Sequence, residues 1–138
     1  MKKKKRILII EDSEQSLYLM TFILEKKGYE VVSAHDGRQG IALAGQAKPA
    51  LILIDIQMPI QNGYSLSREL RENPALADVP IVAVTSYAMA ANRERLLAAG
   101  CTGCIEKPIK PDTFAAEIER YLSNRPGDER DYEHNSDC

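Results

Sequence analysis

Apolar residues in this chain gather in short unbroken runs: ILII (7–10), VVSA (31–34), LILI (51–54), IVAV (81–84) and a briefer CIE (104–106). Runs of four or five without polar alternation read as strands covered on both faces. Between them the spacing becomes helical. Leu17, Met20, Ile23 and Leu24 share one face, and Ile41, Ala42 and Ala44 make a weaker stripe. Leu66 and Leu70 mark a third helix, RERLLAA a fourth, and Phe114, Ile118, Tyr121 and Leu122 a fifth. Asp36 is placed to cap the second helix, with Gln39 three residues on as its capping-box partner. Pro111 suits a first turn, and Gly28 and Gly100 stand where a left-handed residue would end a helix before the next strand.

Five strand–helix repeats predict an α/β fold with one open, doubly wound parallel sheet, (βα)5. The expected strand order is the flavodoxin-like 2-1-3-4-5. Apolar periodicity stops near Asn124. The expected domain therefore covers residues 1–123, with 124–138 a disordered acidic C-terminal tail.

Composition limits the function. The chain has 138 residues, 44% hydrophobic and 28% charged, with a net charge of −2. That suits one globular domain and gives no general pull toward nucleic acid. The basic start, KKKKR (2–6), reads as a solvated terminus. Only four apolar residues follow it, too few for a signal peptide, and no run is long enough to cross a bilayer. Three cysteines do not make a disulfide scaffold, so a reducing, cytoplasmic setting is expected.

In an open α/β sheet the ligand site lies beyond the carboxyl ends of the strands. Strand 1 is followed by Glu11 and Asp12, strand 3 by Asp55, strand 4 by Thr85 and Ser86, and strand 5 by Glu106 and Lys107. The expected order makes strands 1 and 3 neighbours, which gathers Glu11, Asp12 and Asp55. Three carboxylates and one ammonium leave two net negative charges, which repel and raise one another's pKa values. A divalent cation removes that penalty, and an all-oxygen set favours Mg²⁺. Thr85 and Lys107 then suit a phosphoryl group, and Asp55, central in the sheet, suits the nucleophile. The bland alternative is a solvated polar rim. It accounts neither for the proline after Lys107 nor for a carboxylate closing the most apolar strand.

ILIIEDSE, LILIDIQMPIQNGY, IVAVTSYA and IEKPI, in this order over about residues 6 to 123, resemble the receiver domain of two-component response regulators. The resemblance implies that Asp55 is the phosphoacceptor, that Asp12 binds Mg²⁺ directly with Glu11 assisting, and that the Gln57 backbone carbonyl completes the metal ligands. It implies that Thr85 and Lys107 engage the phosphoryl oxygens, that the Lys107–Pro108 bond is cis, and that Gly63 is a turn glycine. It also implies a sensor histidine kinase or histidine phosphotransfer protein as donor, and an output face on helix 4, strand 5 and helix 5.

This chain departs from the pattern at Cys104, three residues before Lys107, where receivers carry an aromatic. Tyr87 is the candidate substitute, with a loop tyrosine as the plainer reading. Cys101 and Cys104 form a lone C-x-x-C, read as buried small residues rather than a redox or zinc site. His35 is expected at a sheet edge and His134 in the tail, neither at the site. Asp36 reads as a helix cap. Gln15, Leu17 and Tyr18 are expected on the exposed surface of helix 1 near the active end, where Tyr18 is candidate partner surface.

The sequence thus reads as a stand-alone, phosphorylation-activated signalling switch, not a turnover enzyme. It is expected to act by contact with a downstream protein or by phosphorelay, without nucleic-acid binding or membrane insertion. Residues 124–138 are too few for an output domain. The alternative is a constitutive receiver-like interaction module that is not phosphorylated. A flavin carrier is disfavoured because EDSEQS after strand 1 would repel phosphate without a metal. An aspartate-based phosphatase is disfavoured because Asp55-Ile56-Gln57 lacks a second carboxylate.

Overall fold

The computed structural model describes residues 4–56, 63–86 and 90–123, with backbone only at 90–93. Its elements run β1 (Arg6–Ile10), α1 (Glu14–Lys26), β2 (Glu30–Ala34), α2 (Gly37–Ala47), β3 (Leu51–Asp55), α3 (Gly63–Arg71), a 3₁₀ turn (Pro74–Leu76), β4 (Ile81–Thr85), α4 (Ala90–Ala98), β5 (Gly103–Glu106) and α5 (Pro111–Ser123). The strands form one parallel sheet in the order β2-β1-β3-β4-β5, as the strand–helix repeat predicts. Every strand residue of β3 and β4 is buried, which explains why these runs show no polar alternation.

Alternate residues of each strand face opposite layers. Ile7, Ile9, Leu51, Leu53, Val82, Val84 and Ile105 pack with Met20 and Leu24 of α1 and Phe114 and Ile118 of α5. Leu8, Ile10, Ile52, Ile54, Ile81 and Ala83 pack with Ala44 of α2, Leu66 and Leu70 of α3 and Leu96 of α4. Fully burying a Leu or Ile contributes roughly 1.5–3 kcal/mol, so these two layers hold the helices onto the sheet.

Local signals operate mostly as expected. The Asp36 side chain accepts from the Gln39 N–H at 2.8 Å. Gln39 reaches one residue further back than a capping box would, and its Oε1 accepts from the His35 N–H at 2.8 Å. Gly28 and Gly100 hold φ values of 94° and 98°, the left-handed conformation that ends a helix without Cβ strain. Helix α2 differs in detail: Gly37, Gly40 and Ala44 are its buried residues, while Ala42 is exposed and Ile41 half-buried. The reason is close approach, because a Cβ on Gly40 would stand 2.5 Å from Ile10 Cδ1. Leu17, expected on the exposed face of α1, is half-buried against the α1–α5 layer.

Among the described residues, no helix is long and apolar enough to cross a membrane. The expected tail, with His134, lies outside the described residues.

Candidate functional site

The parallel register brings three strand ends to one edge of the sheet. Ile10 pairs with Ile54, Asp55 with Val84, and Thr85 with Glu106. Residues immediately beyond these pairs therefore converge. The Ile56 N–H donates to the Val84 carbonyl (3.1 Å) and the Lys107 N–H to the Thr85 carbonyl (2.8 Å), so the ordered backbone continues past the strands.

Glu11, Asp12 and Asp55 each offer a carboxylate oxygen within 4.8 Å of the others. Glu11 is fully buried and Asp55 nearly so (0% and 5% exposed), whereas Asp12 is exposed. Buried charge at this density needs compensation. Lys107 supplies one part, its Nζ donating to Glu11 Oε1 at 3.3 Å and to Asp55 Oδ2 at 3.4 Å. The Ser13 N–H donates to Glu11 Oε2 at 3.2 Å. The Lys107–Pro108 bond is cis, as the resemblance implies.

Two net negative charges remain by formal count. Burial first, then the Asp55 carboxylate beside it, raises Glu11 to about 7, with Ser13 and Lys107 opposing. For Lys107, burial pulls the ammonium down, but the Glu11 and Asp55 carboxylates outweigh it and hold its pKa above the ordinary value. An all-oxygen set with two of its three carboxylates buried, which retains negative charge after the Lys107 ammonium is counted, fits a hard divalent cation such as Mg²⁺.

Thr85 closes β4 at the same sheet edge and is buried. Beside the acidic cluster a depression of about 450 Å³ is lined by Gln15, Ser16 and Leu19 of α1 together with Ser86, Lys107, Pro108 and Ile109. On α1 itself Tyr18 is 73% and Phe22 48% exposed. Their rings stack with centroids 6.3 Å apart, and Lys26 Nζ lies 5.2 Å from the Phe22 centroid.

The remaining sequence candidates separate. Gln57 and Tyr87 lie outside the described residues. Cys104 is buried in β5, and its carbonyl accepts from the Tyr121 hydroxyl at 3.4 Å. Cys101 is a buried free thiol 3.3 Å from Ser67 Oγ, and burial raises its pKa. Both cysteines therefore lie in the interior, as the reading of buried small residues expects. His35 is exposed just past β2, and Asp36 caps α2.

Sequence patterns did not reveal the seat of Gly63 on Ile56, where a Cβ would stand 2.8 Å from the Ile56 Cα. The family resemblance implies a turn glycine at Gly63 but not this contact. Nor did they reveal Arg71, whose guanidinium donates to the carbonyls of Gly100 (2.8 Å) and Leu76 (2.6 Å).

Residues 7–119 match the family model described as the response regulator receiver domain. The polar-differentiation response regulator DivK of Brucella anthropi is 35% identical over 120 residues, covering 87% of this chain and 98% of the relative. The crystallised chemotaxis protein CheY4 of Vibrio cholerae superposes with a TM-score of 0.84 at 28% identity, over 86% of this chain and 99% of that one. The receiver domain of a sensor histidine kinase from Pseudomonas aeruginosa, solved with a magnesium ion coordinated in its active-site cleft, gives 0.80 at 30% identity over 88% and 100%. By sequence and by fold, this chain belongs to the response regulator receiver domains of two-component signalling.

Proposed function

We propose that this receiver is a phosphorylation-controlled switch in which Asp55 accepts a phosphoryl group from a phosphohistidine. The donor is a sensor histidine kinase or a histidine phosphotransfer protein, and output is by protein contact or onward relay. The observation that carries the reading is the single ammonium of Lys107 within 3.4 Å of both Glu11 and Asp55 at the carboxyl edge of the sheet. That constellation binds charge on an incoming group and presents one nearly buried carboxylate to it.

Glu11, Asp12 and Asp55, with the Gln57 carbonyl that the family pattern adds, would hold Mg²⁺. The ion, when bound, neutralises charge spreading over the phosphoryl oxygens. The chain does the rest by positioning. β3 fixes Asp55, one of whose carboxylate oxygens forms the new P–O bond as the P–N bond to imidazole breaks. The imidazole nitrogen keeps the electron pair. Lys107 pairs with the transferred group, and the Thr85 hydroxyl donates a hydrogen bond to it. Thr85, with Tyr87 and the β5 position held by Cys104, belongs to the output path.

The donor docks beside α1. Tyr18 and Phe22 offer an exposed aromatic surface on that helix. The depression against Lys107 has room for an imidazole that must come within bonding distance of Asp55. A cytoplasmic setting fits such a donor.

Incubating the protein with a small acyl phosphate and Mg²⁺, followed by intact mass measurement, tests the reading. One phosphoryl group should be gained, and none in Asp55→Asn or in EDTA. No gain in the wild type would sink the proposal and favour the constitutive interaction module.

A further inference from the structure

We infer that Tyr64 and Arg95 form a positioning pair that carries the state of the Asp55 site to α4. The inference rests on the phosphoryl reading above and assigns a route of output from the site. It begins at Ile56, which directly follows Asp55. The Ile56 N–H donates to Val84 (3.1 Å), and its carbonyl accepts from the Gly63 N–H (3.2 Å). A Cβ on Gly63 would stand 2.5 Å from Ile56 Cδ1 and 2.8 Å from its Cα. The first residue of α3 is therefore pressed against the residue after Asp55 without slack. A displacement at that end of β3 moves the start of α3 with it, because packed elements shift as bodies rather than deform.

The next residue is Tyr64, half-buried and packed on the α2–α4 layer. Its ring carries the Arg95 guanidinium, with Cζ 4.1 Å from the ring centroid. Arg95 is an exposed residue in the last turn of α4, so the start of α3 reaches the last turn of α4 through this cation–π contact. The segment just after α4 is held differently. Arg71, from the last turn of α3, donates to the Gly100 carbonyl (2.8 Å), the Leu76 carbonyl (2.6 Å) and Thr102 Oγ1 (3.3 Å). Several charge-assisted bonds from a part-buried guanidinium make that segment a fixed point. Of these two holds at the C-terminal end of α4, the Tyr64–Arg95 contact is the weaker and the one that gives way first. An exposed contact of this type biases a two-state equilibrium by roughly two- to five-fold, enough to tune α4 without locking it. Cys104, in β5 beside α4, offers no ring for the purpose.

The test uses hydrogen–deuterium exchange of the α4 amides, residues 90–98, before and after treatment with acetyl phosphate and Mg²⁺. Intact mass reports incorporation in parallel. The wild type should show a phosphorylation-dependent change in α4. Arg95→Gln and Tyr64→Leu should each lose at least half of it while Asp55 still takes up the phosphoryl group. Arg95→Lys keeps a cation and Tyr64→Phe keeps the ring, and both should restore the response. A purely structural role would not follow that rescue pattern. The double variant Arg95→Gln/Tyr64→Leu should be no worse than either single one, as expected of partners in one interaction. Uptake with an unchanged α4 response in both Arg95→Gln and Tyr64→Leu overturns the pair, as does wild-type uptake without any change in α4. Absence of uptake in the wild type overturns the phosphoryl reading itself and the coupling with it. Because Arg95 is exposed, Arg95→Gln keeps the question decidable if Tyr64→Leu fails to fold.

Discussion

The Lys107 ammonium stands 3.4 Å from Asp55 Oδ2 and donates a hydrogen bond to that nearly buried carboxylate. Removing it should harm chemistry more than fold, since Lys107 is only part-buried. Lys107→Met should still fold and bind Mg²⁺, but its phosphorylation by acetyl phosphate should slow about 10²–10³-fold, the usual cost of deleting one preorganised electrostatic contact. Asp55→Asn should take up no phosphoryl group. Time courses by intact mass would check both, and a Lys107→Met rate equal to wild type would remove the lysine from the proposed mechanism.

Glu11 predicts an unusual pH profile. Its carboxyl is raised from 4.5 to about 7 in the folded chain, with burial the leading cause. A group whose pKa is raised by folding adds stability that is complete below its unfolded pKa and is lost as pH climbs through the folded value. Between pH 4.5 and 7 the metal-free protein should therefore lose stability, on the order of 3 kcal/mol for a shift of this size. Urea unfolding in EDTA at about pH 5 and pH 8 measures this. Glu11→Gln should flatten the profile, and Mg²⁺ should restore stability at the higher pH because the metal competes with the proton. A wild-type profile that rises toward pH 8 in EDTA would contradict the assignment.

Much of this architecture is legible before any coordinates. LILI and IVAV are apolar without alternation because both faces of β3 and β4 are covered. Once strand order is inferred, the residue after each run locates Glu11, Asp55, Thr85 and Lys107 at one edge. What stays hidden depends on distance rather than on type. Gly40 looks neutral in a helical stripe and Ala42 looks apolar, yet the approach of Ile10 selects glycine for the buried face and leaves Ala42 outside. Apolar periodicity says nothing of Arg71 or Arg95. Their contacts, to Gly100 and to the Tyr64 ring, follow from how α3 and α4 pack, which periodicity does not encode.

The stacked Tyr18 and Phe22 make a separable prediction. Both rings are largely outside the core, so Tyr18→Ala and Phe22→Ala should change stability by no more than about 0.5 kcal/mol. If α1 docks the phosphodonor protein, the same changes should slow transfer from a phosphorylated histidine protein about tenfold or more, since aromatic anchors dominate such contacts. Phosphorylation by acetyl phosphate, which needs no docking, should be unaffected. Equal rates from the protein donor in wild type and the double variant would place the docking surface elsewhere.

Gly103 opens β5 directly beneath Tyr121 of α5. A Cβ there would collide with the Tyr121 hydroxyl and come within 2.6 Å of Cε1 and Cζ of the ring. The ring cannot easily move away, because Tyr121 is only 4% exposed and its hydroxyl donates to the Cys104 carbonyl. Gly103→Ala should therefore destabilise the fold by about 1–3 kcal/mol through overpacking, although alanine ordinarily favours a strand over glycine. Denaturant unfolding at constant m-value measures the loss. Tyr121→Leu, which removes the colliding atoms, should itself destabilise, yet combined with Gly103→Ala it should cost less than the sum of the two. An additive double variant would show that the ring retreats without cost and that this contact does not hold α5 on β5.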